Sequence, residues 1–117
     1  MKYMLLIYSD PTAWGTLTPD EAAVVTKEFM EYTTAINDSN EIVTGDRLQG
    51  VDTATTVRTQ DGERLVTDGP FAETREVLGG FYTIDVADLD RALELAAELP
   101  SVKRGLGSVE VRPIHEM

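Results

Sequence analysis

The strongest constraint on this chain is its opening run Tyr3 to Tyr8, six consecutive apolar or aromatic residues that stop at Ser9, Asp10 and Pro11. Such a run is too short to span a bilayer and too short for the core of a signal peptide. It therefore reads as a buried β-strand. Side chains alternate along a strand, so Tyr3, Leu5 and Ile7 face one side of a sheet while Met4, Leu6 and Tyr8 face the other. Both faces of that sheet need cover.

A helix after the strand can cover one face. Thr18, Pro19, Asp20 and Glu21 form its start: Thr18 caps, Pro19 sits where its missing N–H costs nothing, and Glu21 can reach back to the cap. The apolar stripe Ala22, Val25, Phe29, Tyr32 and Ile36 runs at helical spacing until Asn37, Asp38, Ser39 and Asn40 break it. Glu41 to Leu48 reads as a strand, with Gly45 a bulge or a point of close backbone approach. Thr55 to Gln60 and Glu63 to Asp68 are β-rich runs joined by Asp61-Gly62, the signature of a two-residue hairpin turn. Gly80 to Val86 alternates as a further strand. Asp88 caps a second helix carrying Leu89, Ala92, Leu93, Ala96 and Leu99 and ending at Pro100, and Ser108 to Ile114 closes the chain as a strand.

The order βαβ, hairpin, βαβ predicts a ferredoxin-like α+β fold: a split βαβ arrangement with an antiparallel sheet, two helices on one face and an inserted β-hairpin. The other face stays bare, which predicts a homodimer through it. A stable pair of this kind buries on the order of 1,600 Å² and can build a cleft partly walled by the second subunit. At 117 residues with no linker, the chain reads as one domain, 1-117. Its 21 acidic against 10 basic residues give a net charge of −11, which argues against nucleic acid and anionic membrane as partners. No cysteine is present, so disulfides, thiolate metal sites and thiol redox chemistry are excluded, and the composition suits a reducing cytoplasm.

The segment Asp68-Gly69-Pro70-Phe71-Ala72-Glu73-Thr74-Arg75-Glu76, followed by Leu78-Gly79-Gly80-Phe81-Tyr82, resembles the signature of the DGPF branch of the YCII-related family. The likeness extends to Met1 to Tyr8, Thr53 to Arg58 and Val109 to Ile114. It implies a dimeric ferredoxin-like fold and, through the frequent association of DGPF proteins with alternative sigma factors, an indirect regulatory link. The wider family is thought to use a paired histidine and aspartate, and a few relatives act on hydroxylated or chlorinated aromatic metabolites. This chain departs from that pattern: its one histidine is His115, near the C-terminus, and its first helix contains none. The histidine mechanism does not carry over.

The Asp68 to Glu76 loop admits two readings. In the structural one, Asp68 accepts backbone hydrogen bonds, Gly69 and Pro70 set the turn, Phe71 plugs the core and Arg75 pairs with neighbouring acids. In the functional one, Asp68 is a general base with Glu73 as second carboxylate, Arg47 or Arg75 clamps an anionic or hydroxylated substrate, and Phe71 contributes to the ligand site. Tyr8, Asp10 and Trp14 leave the first strand where an aromatic lid over a ligand is conceivable. Gly79-Gly80 reads as strand-entry geometry, and the acids of the first helix as a solvated face. No metal-ligand spacing occurs and no cofactor motif is present, so neither is expected. The predicted function is a small-molecule-binding dimer, a ligand-binding or regulatory module; the alternative is a lyase- or isomerase-type enzyme using Asp68 on a small hydroxylated aromatic or organic acid.

Overall fold

In the computed structural model, which describes residues 1–116, the predicted order holds with two short α-helices and a 3-10 turn at Val51–Thr53 added. The elements are β1 (Lys2–Ser9), α1 (Pro11–Gly15), α2 (Pro19–Asp38), β2 (Ile42–Arg47), β3 (Thr55–Gln60), β4 (Glu63–Asp68), β5 (Val77–Asp85), α3 (Leu89–Ala97), α4 (Pro100–Lys103) and β6 (Gly107–Pro113). Strands β2-β5-β1-β6 form one sheet in that order, every neighbouring pair antiparallel, and β3 and β4 form a separate two-stranded ribbon. This is the ferredoxin-like arrangement, with the ribbon inserted between its halves.

Local chemistry explains where the elements begin. Thr18 N donates to Glu21 Oε1 at 3.0 Å and Glu21 N to Thr18 Oγ1 at 3.2 Å, a reciprocal cap that fixes the start of α2. Asp61 and Gly62 take φ of 53° and 79°, the left-handed pair that a two-residue hairpin loop requires. The core lies between the helices and one face of the sheet: Tyr3, Leu5 and Ile84 pack against Ile36, Ala92, Leu95 and Ala96. Alternation turns Met4, Leu6, Phe81 and Thr83 to the opposite face, where Met4 pairs with Thr83 and Leu6 with Phe81. The molecule is only 18 Å across its thinnest direction, enough for the sheet and one helix layer of about 10–12 Å. No second layer fits over that face.

Four expectations need correction. Ala92 and Ala96 of α3, and Leu99 just beyond it, are buried as expected, but Leu89 and Leu93 are exposed and Leu95 is buried in their stead. Pro100 does not merely stop a helix but begins α4 as its first residue, where its missing N–H costs nothing. Strand β5 starts at Val77, so Gly79 and Gly80 lie inside it rather than at its entrance. The register shift in β2 falls between Ile42 and Thr44, which leaves Gly45 as the close approach and not the bulge.

Two stability predictions arise here. The hydroxyl of Ser101 is buried without a hydrogen-bond partner among the described residues. Its desolvation is uncompensated, so Ser101→Ala should be neutral or stabilising by up to about 1 kcal/mol in urea unfolding. A clear loss of stability would mean that the hydroxyl has a partner.

The second concerns Glu41, which joins the end of α2 to α3. Arg91 grips it with Nε to Oε2 and Nη2 to Oε1, both 2.8 Å, and Ser39 Oγ adds a bond of 2.8 Å. The guanidinium, above all, holds the Glu41 pKa down at about 2. A carboxyl depressed on folding contributes stability that is full above its unfolded value, about 4.3, and is lost as pH falls towards the folded value. After solvent screening the contribution is about 1–2 kcal/mol. Glu41→Gln should therefore cost that much at about pH 6, roughly half as much near pH 3 and little below about pH 2. Parallel unfolding profiles for variant and parent across that window would remove the fork from the account.

Candidate functional site

The C-terminal ends of β1 and β2 and the first half of β5 meet beneath α2 and enclose a cavity of about 730 Å³. Glycines make the strand ends converge. A Cβ on Gly80 would lie 2.8 Å from the Asp46 carbonyl oxygen, and one on Gly45 would lie 2.6 Å from the Tyr82 ring. The bare Gly45 lets that ring lie across β2, and its hydroxyl reaches Thr33 Oγ1 on α2 at 2.6 Å. Thr33 spends its own proton on the Phe29 carbonyl at 2.9 Å, so Tyr82 is the donor of the pair. Behind it, Tyr32 stands with its ring centroid 5.8 Å from that of Tyr82 and donates to the Leu95 carbonyl at 2.6 Å. Burial pushes the Tyr32 hydroxyl pKa well above its ordinary value, so it stays protonated and structural.

The near wall is α1. Asp10 caps it, accepting from Thr12 N at 3.0 Å and Ala13 N at 3.4 Å, while its own amide donates to the Leu106 carbonyl at 2.9 Å. This short helix carries Trp14 into the cavity wall, and the indole Nε1 is buried with no acceptor among the described residues. Helix α2 contributes Phe29, Met30 and Thr33, and the segment after β2 contributes Leu48 and Val51. The lining surface is mostly apolar, with Ser9, Thr26, Thr33, Asp46, Arg47 and Gln49 among its polar residues. Register places Arg47, opposite Gly80, on the same sheet face as Tyr82, and it is the one cation lining the cavity. Among the described residues its guanidinium has no ion-pair partner.

Of the residues singled out from the sequence, the structure brings Arg47 and Trp14 together at this cavity. Tyr8, Asp68, Phe71, Glu73 and Arg75 do not line it within one chain. Tyr8 pairs with Leu78 and Ser108 in the sheet. Asp68 ends β4 and is exposed, as is Glu73. Phe71 is 75% exposed and plugs no core, which corrects the structural reading of that ring. Arg75 does find an acid, though a distant one in sequence: its Nε lies 3.4 Å from Asp10 Oδ2. His115 is exposed and outside the cavity. The sequence reading missed Met30, Thr33 and Tyr82. Phe29, expected in the core stripe of α2, lines the cavity instead, and Thr26, Met30 and Thr33, at helical spacing around it, were the available signal. No group of three or more His, Asp or Glu side chains among the described residues could hold a metal ion. No helix of the described residues is long and apolar enough to cross a membrane.

Comparison with known proteins gives three findings. An uncharacterized protein of Rhizobium meliloti (strain 1021) is 37% identical over 114 residues, 97% of this chain and 92% of that protein. The solved structure of 5-chloro-2-hydroxyhydroquinone dehydrochlorinase (TftG) from Burkholderia phenoliruptrix AC1100, in complex with 2,5-dihydroxybenzoquinone, superposes with a TM-score of 0.54. It covers 100% of this chain and 96% of its own, at 13% identity, a likeness of fold alone. The description of the YCII-related domain matches residues 1–117, and the chain therefore belongs to the YCII-related family.

Proposed function

We propose that this protein binds a small oxygenated organic anion in the cavity beneath α2 and works as a homodimer joined through its open sheet face. The observation that carries the reading is an apolar cavity of about 730 Å³ whose one cation, Arg47, has no partner among the described residues. That volume falls within the range of about 300–1,000 Å³ usual for small-molecule sites, and a mostly apolar wall with few polar groups is their usual composition. Arg47 presents the planar donor fork that suits a carboxylate or an ionised enol. Trp14 and Phe29 offer flat apolar surface for a ring.

Binding or regulation is the first reading, in keeping with the loop that resembles the DGPF signature. An enzymatic reading has one observation in its favour: the fold is shared with a dehydrochlorinase solved with a hydroxylated quinone. In that reading a lyase- or isomerase-type step on a hydroxylated ring uses Asp68 as general base, and Asp68 lies outside the cavity of its own chain. A single chain therefore supports binding better than turnover.

The test is a titration followed by the fluorescence of the chain's one tryptophan, with 2,5-dihydroxybenzoquinone, salicylate and neutral salicylamide as probes. The expected result is saturable binding of the anions and much weaker binding of the amide. Equal affinity for salicylate and salicylamide would remove Arg47 from the account, and no saturable binding by any probe would remove the ligand class.

A further inference from the structure

The hydroxyls at the cavity wall are set in one direction, and that direction restricts what can bind beside them. Tyr82 Oη and Thr33 Oγ1 lie 2.6 Å apart, and both residues line the cavity. Between two hydroxyls either oxygen can give the proton, but Thr33 has a second partner. Its Oγ1 donates to the Phe29 carbonyl, one turn earlier in α2, at 2.9 Å. A hydroxyl has one proton to give, so Thr33, having given it to Phe29, can only accept from Tyr82. In the reverse order Thr33 donates to Tyr82, the Phe29 bond is lost and the Tyr82 proton has no partner among the described residues. The order from Tyr82 through Thr33 to Phe29 makes one more hydrogen bond and is the favoured one.

The consequence falls on the cavity. With its proton spent on α2, and no donor of the described residues reaching its oxygen, Tyr82 has only a lone pair left to offer. Register fixes what stands beside it. Tyr82 lies opposite Gly45 and Arg47 opposite Gly80, so Tyr82 and Arg47 are diagonal neighbours on one sheet face, their backbones roughly 7–8 Å apart. Gly80 puts no side chain between them. A donor-only cation and an acceptor-only phenol therefore stand side by side over the same stretch of sheet.

We infer that Tyr82 selects the ligand by accepting a hydrogen bond from it, and that Thr33 is the positioning residue that holds Tyr82 in the accepting state. The class is then narrower than an organic anion. The ligand gives its anionic group to Arg47 and carries a free O–H or N–H that faces Tyr82. An ether or carbonyl oxygen in that place meets a lone pair and binds more weakly. A hydroxyl next to the carboxylate shares its proton with that carboxylate, so the better donors lie further round the ring.

This inference rests on the proposed site and narrows its ligand class. The test is isothermal titration of 3- and 4-hydroxybenzoate, each against its methyl ether, which holds charge and ring constant. The parent should bind the hydroxy acid whose proton reaches Tyr82 about 10-fold more tightly than its ether. Tyr82→Phe and Thr33→Val keep the shape of the side chain and remove one hydroxyl each. The first should abolish the preference by weakening the hydroxy acid. The second should narrow it about 3-fold or more by strengthening the ether, because the Tyr82 proton is then free to turn to the ligand. Equal affinity for both acids and their ethers in the parent would overturn the inference and leave the site standing. So would a preference that survives Tyr82→Phe, which is then one of methyl-group bulk, or a ratio unchanged in Thr33→Val. No saturable binding by any of the four probes would remove the proposed ligand class, and the inference with it.

Discussion

Replacing Arg47 with methionine is expected to weaken binding of salicylate about 10- to 100-fold and to leave salicylamide affinity within about 2-fold. A charge-assisted hydrogen bond contributes about 1.5–3 kcal/mol, and every 1.4 kcal/mol is a factor of ten. Methionine keeps the unbranched stem, so the apolar lining loses little. The fold has no stake in the guanidinium: Arg47 is exposed and has no ion-pair partner among the described residues. Unfolding of the variant should therefore match the parent within about 0.5 kcal/mol. Because free Arg47 is solvated, the effect should shrink as salt rises. Isothermal titration of both probes against both proteins reads all of this, and an equal loss for acid and amide would make the residue a packing contact.

Gly107→Ala should be the most damaging single methyl in the chain. A Cβ there would run into the Tyr8 carbonyl oxygen and lie 3.0 Å from the Ser9 Cα, and these are backbone atoms of the paired strand that no rotamer change can move. Strands β1 and β6 are in register at Ser9 and Gly107, so relief requires prising them apart where β1 turns into α1. Overpacking of this kind costs about 3 kcal/mol or more, a large part of the 5–15 kcal/mol that keeps a domain folded. The glycine is needed for space and not for dihedral freedom, since it is not among the positive-φ residues. Gly15→Ala is the control: nothing stands within 4 Å of a Cβ there, and it should change stability by less than about 1 kcal/mol. Denaturant midpoints for the two variants check the contrast. A Gly107→Ala midpoint equal to that of Gly15→Ala would mean that β6 pairs with β1 otherwise than described.

The fold was legible because its signals are local. The cap at Thr18–Glu21, the hairpin dipeptide Asp61-Gly62 and the alternation of β1 each depend on neighbours within a few residues. The choice among the α3 leucines was not legible: Leu89, Leu93 and Leu95 are equally apolar, and only burial in the cluster that holds Ile36, Ile84 and Val86 selects Leu95.

The candidate site was legible only in part, for a related reason. Density of unusual residues drew attention to Asp68–Glu76, whereas the cavity is assembled from β1, β2, β5, α1 and α2, with lining residues from Ile7 to Tyr82, 75 positions apart in sequence. Arg47 and Trp14 were noticed as residue types. Thr33 and Tyr82 gain their meaning from a bond across 49 positions, which no local pattern announces. Arg75 shows the same limit, since the acid it meets, Asp10, is 65 positions away.

The central claim is that the space beneath α2 is a ligand site, and one spectrum tests it directly. The chain's one tryptophan gives a single indole N–H signal, and that nitrogen lies buried without an acceptor at the cavity wall. In a ¹H–¹⁵N spectrum recorded through a salicylate titration, the Trp14 indole and the amides of Gly45, Gly79 and Gly80 should shift together along one saturable curve. Shifts confined to other surfaces, with those four signals unmoved at saturation, would show that the cavity is not where this protein binds its ligand.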